Sequence, residues 1–258
     1  MEAQRFVRFA SPGAVRHGRV NGTTVEVLDG DPVREEARPI GRSVPLDALR
    51  LLAPVQPGKI VAVGRNYADH IAEMGMGAPA VPRLFFKPPS AVIGPGEPIR
   101  YPAQSRQVEY EAELAVVIGR TTRDVPAAEA LSQVFGYTCA NDVTARDIQK
   151  ADGQPSWAKA FDTFCPLGPW ITTGLDPADL EIECHVNGER RQHARTAQLL
   201  TPVADLIAYI SAAVTLDPGD IILTGTPAGV GPVLPGDTVE VSATGIGTLT
   251  NPVASAAR

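Results

Sequence analysis

Cysteine is scarce in this chain of 258 residues, and Cys139, Cys165 and Cys184 are odd in number, widely separated and free of any Cys-x-x-Cys or Cys/His spacing. A disulfide framework and a structural zinc site are therefore not expected, and a reducing compartment fits the composition. Long apolar runs are also missing. No stretch approaches the roughly 18 residues of a membrane span, and the opening Met-Glu-Ala-Gln-Arg-Phe lacks the basic-then-apolar order of a secretory leader. A cytoplasmic protein with no membrane partner is the expectation. Positive charge is in deficit: the formal net charge is −6 and the pI is near 5.3. Lysine and arginine are scattered, which argues against a nucleic-acid partner because phosphate backbones need a dense positive face. The chain has no His-Glu-x-x-His, Gly-x-Ser-x-Gly, Gly-Lys-Ser/Thr or Gly-x-Gly-x-x-Gly pattern. Zinc peptidase, serine hydrolase and nucleotide chemistry lose their usual signatures with these.

Glycine and proline, by contrast, contribute 24 residues each, which implies many turns between short strands. Three β-like runs, Arg5–Phe9, Ala14–Val20 and Thr24–Leu28, with Asn21-Gly22 as a hairpin turn, predict a small N-terminal β-rich module over residues 1–56. After Pro57-Gly58 a second domain, 57–258, is expected to hold strands at 59–63, 108–118 and 135–140. Helices are expected at 67–74, 126–133, 144–150 and 202–214, with β-rich sequence from about 180 onward. Regular βαβ alternation is absent, so the expected fold class is α+β, mainly β.

The segment Val108-Glu-Tyr-Glu-Ala-Glu-Leu-Ala-Val-Val-Ile-Gly119 is the most informative. In a strand, alternation puts Glu109, Glu111 and Glu113 on one face, roughly 7 Å apart in succession. Two readings stand. One is a half-exposed strand with an acidic outer face; the other is a pair of carboxylates sharing a hard divalent cation, which prefers oxygen ligands. A third carboxylate is available in Asp142, at the junction between the strand ending at Ala140 and the following helix, although aspartate there also serves as a helix N-cap. His70 and Glu73, at i and i+3, share a helix side, so the carboxylate can orient the imidazole as a general base. A surface pair is the plainer alternative. Gly75-Met-Gly-Ala-Pro-Ala-Val-Pro82 after them is a flexible connection. Cys139, in an apolar strand, reads as packed and not as reactive.

Several of these stretches occur together as motifs: Gly64-Arg-Asn-Tyr-Ala-Asp-His70, Leu84-Phe-Phe-Lys-Pro88, Tyr110–Gly119, Asn141-Asp-Val-Thr-Ala-Arg-Asp147 and Leu223-Thr-Gly-Thr-Pro227. In order and spacing they resemble the fumarylacetoacetate hydrolase superfamily over roughly residues 58–253. The short N-terminal module is similar to that of the short bacterial type, which includes acylpyruvases, oxaloacetate decarboxylases and 2-hydroxyhepta-2,4-diene-1,7-dioate isomerases. The resemblance implies a mixed β-roll or sandwich core with a few flanking helices. It further implies one Mg²⁺ or Mn²⁺ per subunit on Glu111, Glu113 and Asp142, with Glu109 left solvated or behind the ligands. His70 and Glu73 fall on a lid over the substrate, and Lys159 stabilises an enolate or oxyanion. Thr226 binds the substrate carboxylate, Gln149 contacts substrate, and Arg65 stands near the mouth of the site or pins its loop. A homodimer acting on a small anionic 2-oxo acid follows from the same likeness. The expected reaction is hydrolytic C–C cleavage of an acylpyruvate-like 1,3-diketo acid, with oxaloacetate-type decarboxylation or dienedioate isomerisation as alternatives. A non-catalytic binding protein is the remaining reading.

Overall fold

Glycine and proline cut the chain into short strands, and among the described residues these assemble into three sheets. The computed structural model describes residues 3–75 and 77–255. The main path of the largest sheet runs Pro39–Pro45, Thr24–Leu28, Ala14–Asn21, Arg5–Ser11, Cys165–Thr172, Val134–Asn141, Ala112–Ile118, Ile221–Leu223, Ile60–Gly64 and Arg83–Lys87. Neighbours along it are antiparallel except Ile221–Leu223 with Ile60–Gly64. A second sheet orders Glu189–Arg195, Glu181–Val186, Thr238–Ala243, Gly247–Ser255 and Ile99–Tyr101. The helices are short, with Val203–Ser211 reaching nine residues, so the class is α+β and mainly β, as the missing βαβ alternation implies. None of the described helices is long and apolar enough to cross a membrane.

The Asn21-Gly22 turn forms as read: Asn21 pairs with Thr24, and Gly22 takes φ +58°, which costs glycine little. A fourth N-terminal strand, Pro39–Pro45, escapes the alternation rule because it is bounded by prolines, interrupted by Gly41 and nearly all exposed. It lies at the sheet edge, where proline leaves no ladder bond unmade. Arg5 and Phe6 pair with Thr172 and Ile171, so the N-terminal strands extend the large sheet.

The carboxylate strand departs from its expected form. It breaks at Glu111 into Val108–Tyr110, in a three-stranded sheet with Thr144–Ala145 and Gly231–Val233, and Ala112–Ile118, in the large sheet. Leu114, Val116 and Ile118 enter one core cluster, Ala115 and Val117 another, and all five are fully buried. The half-exposed reading is thereby overturned: apolar layers cover both faces, as in strands that read as continuous hydrophobic runs. The N-cap reading of Asp142 also falls. The helix after it, Arg146–Asp152, starts four residues later behind Ala145, without a side-chain cap.

Candidate active site

Glu111 and Asp142 are tied through the backbone. The Asp142 N–H donates to the Glu111 carbonyl at 2.8 Å, and the Glu111 N–H donates to Asn141 Oδ1 at 2.9 Å. Glu113 lies opposite Ala140 in the adjoining ladder. The break at Glu111 and the end of the neighbouring strand thus aim three carboxylates at one point. An oxygen from each lies within 4.8 Å of the other two, and all three residues are buried.

Buried cations surround them. Lys159 Nζ donates to Glu111 Oε2 and to Asp142 Oδ2, each at 2.6 Å, while Arg146 bridges Glu111 to Glu109. Glu109 therefore sits behind the ligands, buried and paired to Arg146, and not in solvent. Burial alone pushes the Glu111 carboxyl up, but Lys159, Arg146 and His70 outweigh it and hold it at about 2. Burial likewise opposes the charge on Lys159, and Asp142 with Glu111 override it and raise its pKa. Glu113 behaves in the opposite way: burial, then the charges of Asp142 and Glu111, raise it well above the carboxylate range, with Gly225 N–H as a close donor at 2.6 Å.

These residues suit a hard divalent ion. Three oxygen donors converge, and Asp142 Oδ1 is buried without a hydrogen bond, since Lys87 Nζ lies 2.6 Å away but off the line of one. The upward shift of Glu113 favours its protonated form, and a cation would displace that proton. Affinity for Mg²⁺ is accordingly expected to climb with pH, by up to about tenfold per unit. It should flatten once the raised pKa of Glu113 is passed. Calorimetry in two buffers of unlike ionisation heat should read about one proton released per ion at the acidic end. A pH-independent affinity would show that no proton on Glu113 has to be displaced.

A cavity of about 350 Å³ opens onto the triad. Its lining includes Arg65, His70, Gln149, Lys159 and Thr226 together with the three carboxylates. The short helix Ala68–Glu73 brings His70 Nδ1 to 3.3 Å from Glu73 Oε2. The same carboxylate accepts from Gly229 N–H at 3.0 Å, latching the helix to the loop that carries Thr226. Glu73 itself stands behind His70 and outside the cavity lining. Thr226 Oγ1 accepts from Gln192 Nε2 at 2.8 Å, which leaves its proton free for an anion in the cavity. Gln149 Oε1 accepts from Arg146, so its amide N–H groups remain available.

Lys87, Arg146 and Gln192 received no role from the sequence. Lys87 had a signal: alternation along Arg83–Lys87 puts it on the face of buried Phe85. Arg146 lay within a recognised motif without a stated partner. Gln192, which also accepts from Ala112 N–H, had none, because its strand is otherwise rich in charge. A second acidic group, Glu181, Glu183 and His193, lies on an exposed sheet where His193 is already paired with Glu181.

The family profile described as fumarylacetoacetate (FAA) hydrolase C-terminal matches residues 59–254, and one described as Rv2993c-like, N-terminal, matches residues 4–54. Protein Rv2993c of Mycobacterium tuberculosis is 52% identical over 96% of this chain and 97% of its own length. The crystal structure of 2-hydroxyhepta-2,4-diene-1,7-dioate isomerase from Mycobacterium marinum superposes with a TM-score of 0.92 at 48% identity, covering 99% of this chain and 100% of that one. The mitochondrial oxaloacetate tautomerase of Xenopus laevis is 44% identical over 80% of this chain and 68% of its own.

Proposed function

This chain belongs to the fumarylacetoacetate hydrolase family, and from that premise we propose that it is a divalent-metal-dependent enzyme that enolises a small 2-oxo acid. The observation that carries this reading is the convergence of Glu111, Glu113 and Asp142 at the floor of a cavity that also holds His70. An Mg²⁺ or Mn²⁺ ion on those carboxylates would polarise the 2-oxo carbonyl as a Lewis acid. Thr226 O–H and the Gln149 amide orient the substrate carboxylate. His70, its ring held by Glu73, takes a proton from the carbon beside the carbonyl and returns it at oxygen or farther along a conjugated chain. Lys159 supplies a fixed positive charge where the enolate develops. Proton transfer alone gives tautomerisation or double-bond isomerisation, the activities in the names of two of the relatives.

Hydrolytic cleavage is a second reading, favoured by a cavity of about 350 Å³ that leaves room for a water beside His70. In it His70 takes a proton from water as the oxygen adds to the distal carbonyl. The C–C bond then breaks with its electron pair passing to the enolate, and protonation releases pyruvate or a related oxo acid plus a carboxylate. A panel of oxaloacetate, acetylpyruvate, fumarylpyruvate and a 2-hydroxydienedioate, assayed with Mg²⁺ and with chelator, separates the outcomes. Isomerisation moves the ultraviolet band with no loss of carbon, hydrolysis liberates two acids, and decarboxylation liberates CO₂. Chelator should abolish whichever activity is found; turnover that persists in chelator would remove the proposal.

A further inference from the structure

The strand Glu189–Arg195 lies at an edge of the second sheet, and of its seven residues only Gln192 and Ala194 are buried. Ala194 fills core space. Gln192, with 1% of its surface exposed, has to place an amide oxygen and two N–H groups out of reach of water. The strand pairing explains how it gets inside. Cys184 stands opposite Gln192 and His185 opposite Arg190, so Arg191 is left without a partner. Such a bulge bends a strand and re-aims the side chain beside it. Here the bent strand closes on the loop after Thr226, where Gly229, at φ +97°, has no room for a Cβ against the Arg191 carbonyl.

The Gln192 amide is fully used. Its oxygen accepts from Ala112 N–H at 2.9 Å, and its nitrogen donates to Thr226 Oγ1 and to the Pro227 carbonyl, each at 2.8 Å. These partners allow one orientation. A backbone N–H can only donate and a carbonyl can only accept, so exchanging the amide oxygen and nitrogen would set like against like at both. The Thr226 hydroxyl therefore receives a proton from Gln192 and has its own to give elsewhere. Among the described residues no group accepts it, and Thr226 lines the cavity. Ala112 lies between Glu111 and Glu113, where the carboxylate strand breaks. The same amide thus ties the hydroxyl to the segment that carries two of the three carboxylates.

We propose that Gln192 is a positioning residue, which fixes Thr226 as a donor into the cavity and holds that donor in register with the metal triad. The proposal rests on the reading that Thr226 takes the substrate carboxylate beside an ion on the triad. Calorimetry on the Mg²⁺-loaded protein tests it with oxalate, whose adjoining carboxylates match the carboxylate and carbonyl oxygens of a 2-oxo acid. Gln192→Met, similar in length and without an amide, should weaken oxalate binding by about 10-fold. Mg²⁺ affinity should stay within about threefold, which also verifies the fold. In a Thr226→Val background the same substitution should weaken oxalate binding by less than about twofold, because its effect runs through the hydroxyl. On the substrate that the panel identifies, the fall in kcat/KM should lie mainly in KM. Should Gln192→Met lose Mg²⁺ binding, Gln192→Glu takes its place in the cycle: it keeps an acceptor for Ala112 N–H and, as a carboxylate, cannot donate to Thr226. Unchanged oxalate binding, an equal loss in the Thr226→Val background, a fall confined to kcat, or loss of Mg²⁺ binding in both variants overturns the role of Gln192. If Thr226→Val alone leaves oxalate binding unchanged, the placement of the substrate carboxylate at Thr226 is overturned instead.

Discussion

Asp142→Asn is expected to lower metal-dependent turnover by about 10³-fold or more, the equivalent of several kcal/mol of lost charge stabilisation at the reacting carbonyl. Asp142 closes the triad from just beyond the neighbouring strand Val134–Asn141, so its removal leaves Glu111 and Glu113, two residues apart on one segment, with no oxygen from the opposite side. Asparagine is preferred to alanine for a structural reason. Asp142 also faces Lys159 Nζ and Lys87 Nζ, each at 2.6 Å, and deleting the side chain takes their shared carboxylate away from two buried ammonium groups. Breaking a buried pair in that way costs about 3–5 kcal/mol, so Asp142→Ala is expected to melt early whatever its activity. The asparagine side chain keeps the volume and one acceptor, while Lys159 retains Glu111 and Lys87 retains the Lys159 carbonyl. Thermal melting verifies the fold, Mg²⁺ titration reads the lost affinity, and turnover reads the chemistry. Full metal-dependent turnover in this variant would leave the proposed reaction without a centre.

His70→Asn carries the second large expectation, a fall in kcat of about 10²–10⁴-fold with the metal site intact. His70 lines the cavity but is absent from the carboxylate triad, so the variant should still bind Mg²⁺. It should also still gain thermal stability from oxalate, an anion able to occupy the metal end of the cavity. Glu73→Gln should lose less, because a glutamine oxygen can go on accepting from Gly229 N–H or from the imidazole, though not with the strength of a carboxylate. If His70→Asn weakens oxalate binding in step with kcat, His70 is a binding group and the assignment of proton transfer to it is wrong.

Much of the fold was legible in residues that repeat on a short period. The hairpin at Asn21-Gly22, the buried strand ending at Ala140 and the helix near 203–211 follow from alternation, turn chemistry and the helical period, each of which acts over a few residues. The edge strand Pro39–Pro45 was not legible, because exposure on both faces erases alternation. Glu109 shows the corresponding limit at the site. Alternation placed it beside Glu111 and Glu113, yet only the approach of Arg146, 37 residues away, decides that it is buried and paired.

On its own, the order of amino acids determined that acidic side chains recur every second residue from Glu109 to Glu113, that Asp142 follows an apolar strand, and that His70 precedes Glu73 by less than one turn. Backbone periodicity sets such local relations, and nothing distant need be known to read them. Tertiary structure alone decided that the first two groups meet within a few ångströms, that Lys87, Lys159 and Arg146 balance their charge, and that Gln192 reaches the Thr226 hydroxyl. Those relations join residues many positions apart. They depend on sheet order and register, which the packing of two core layers selects and no single stretch of chain encodes.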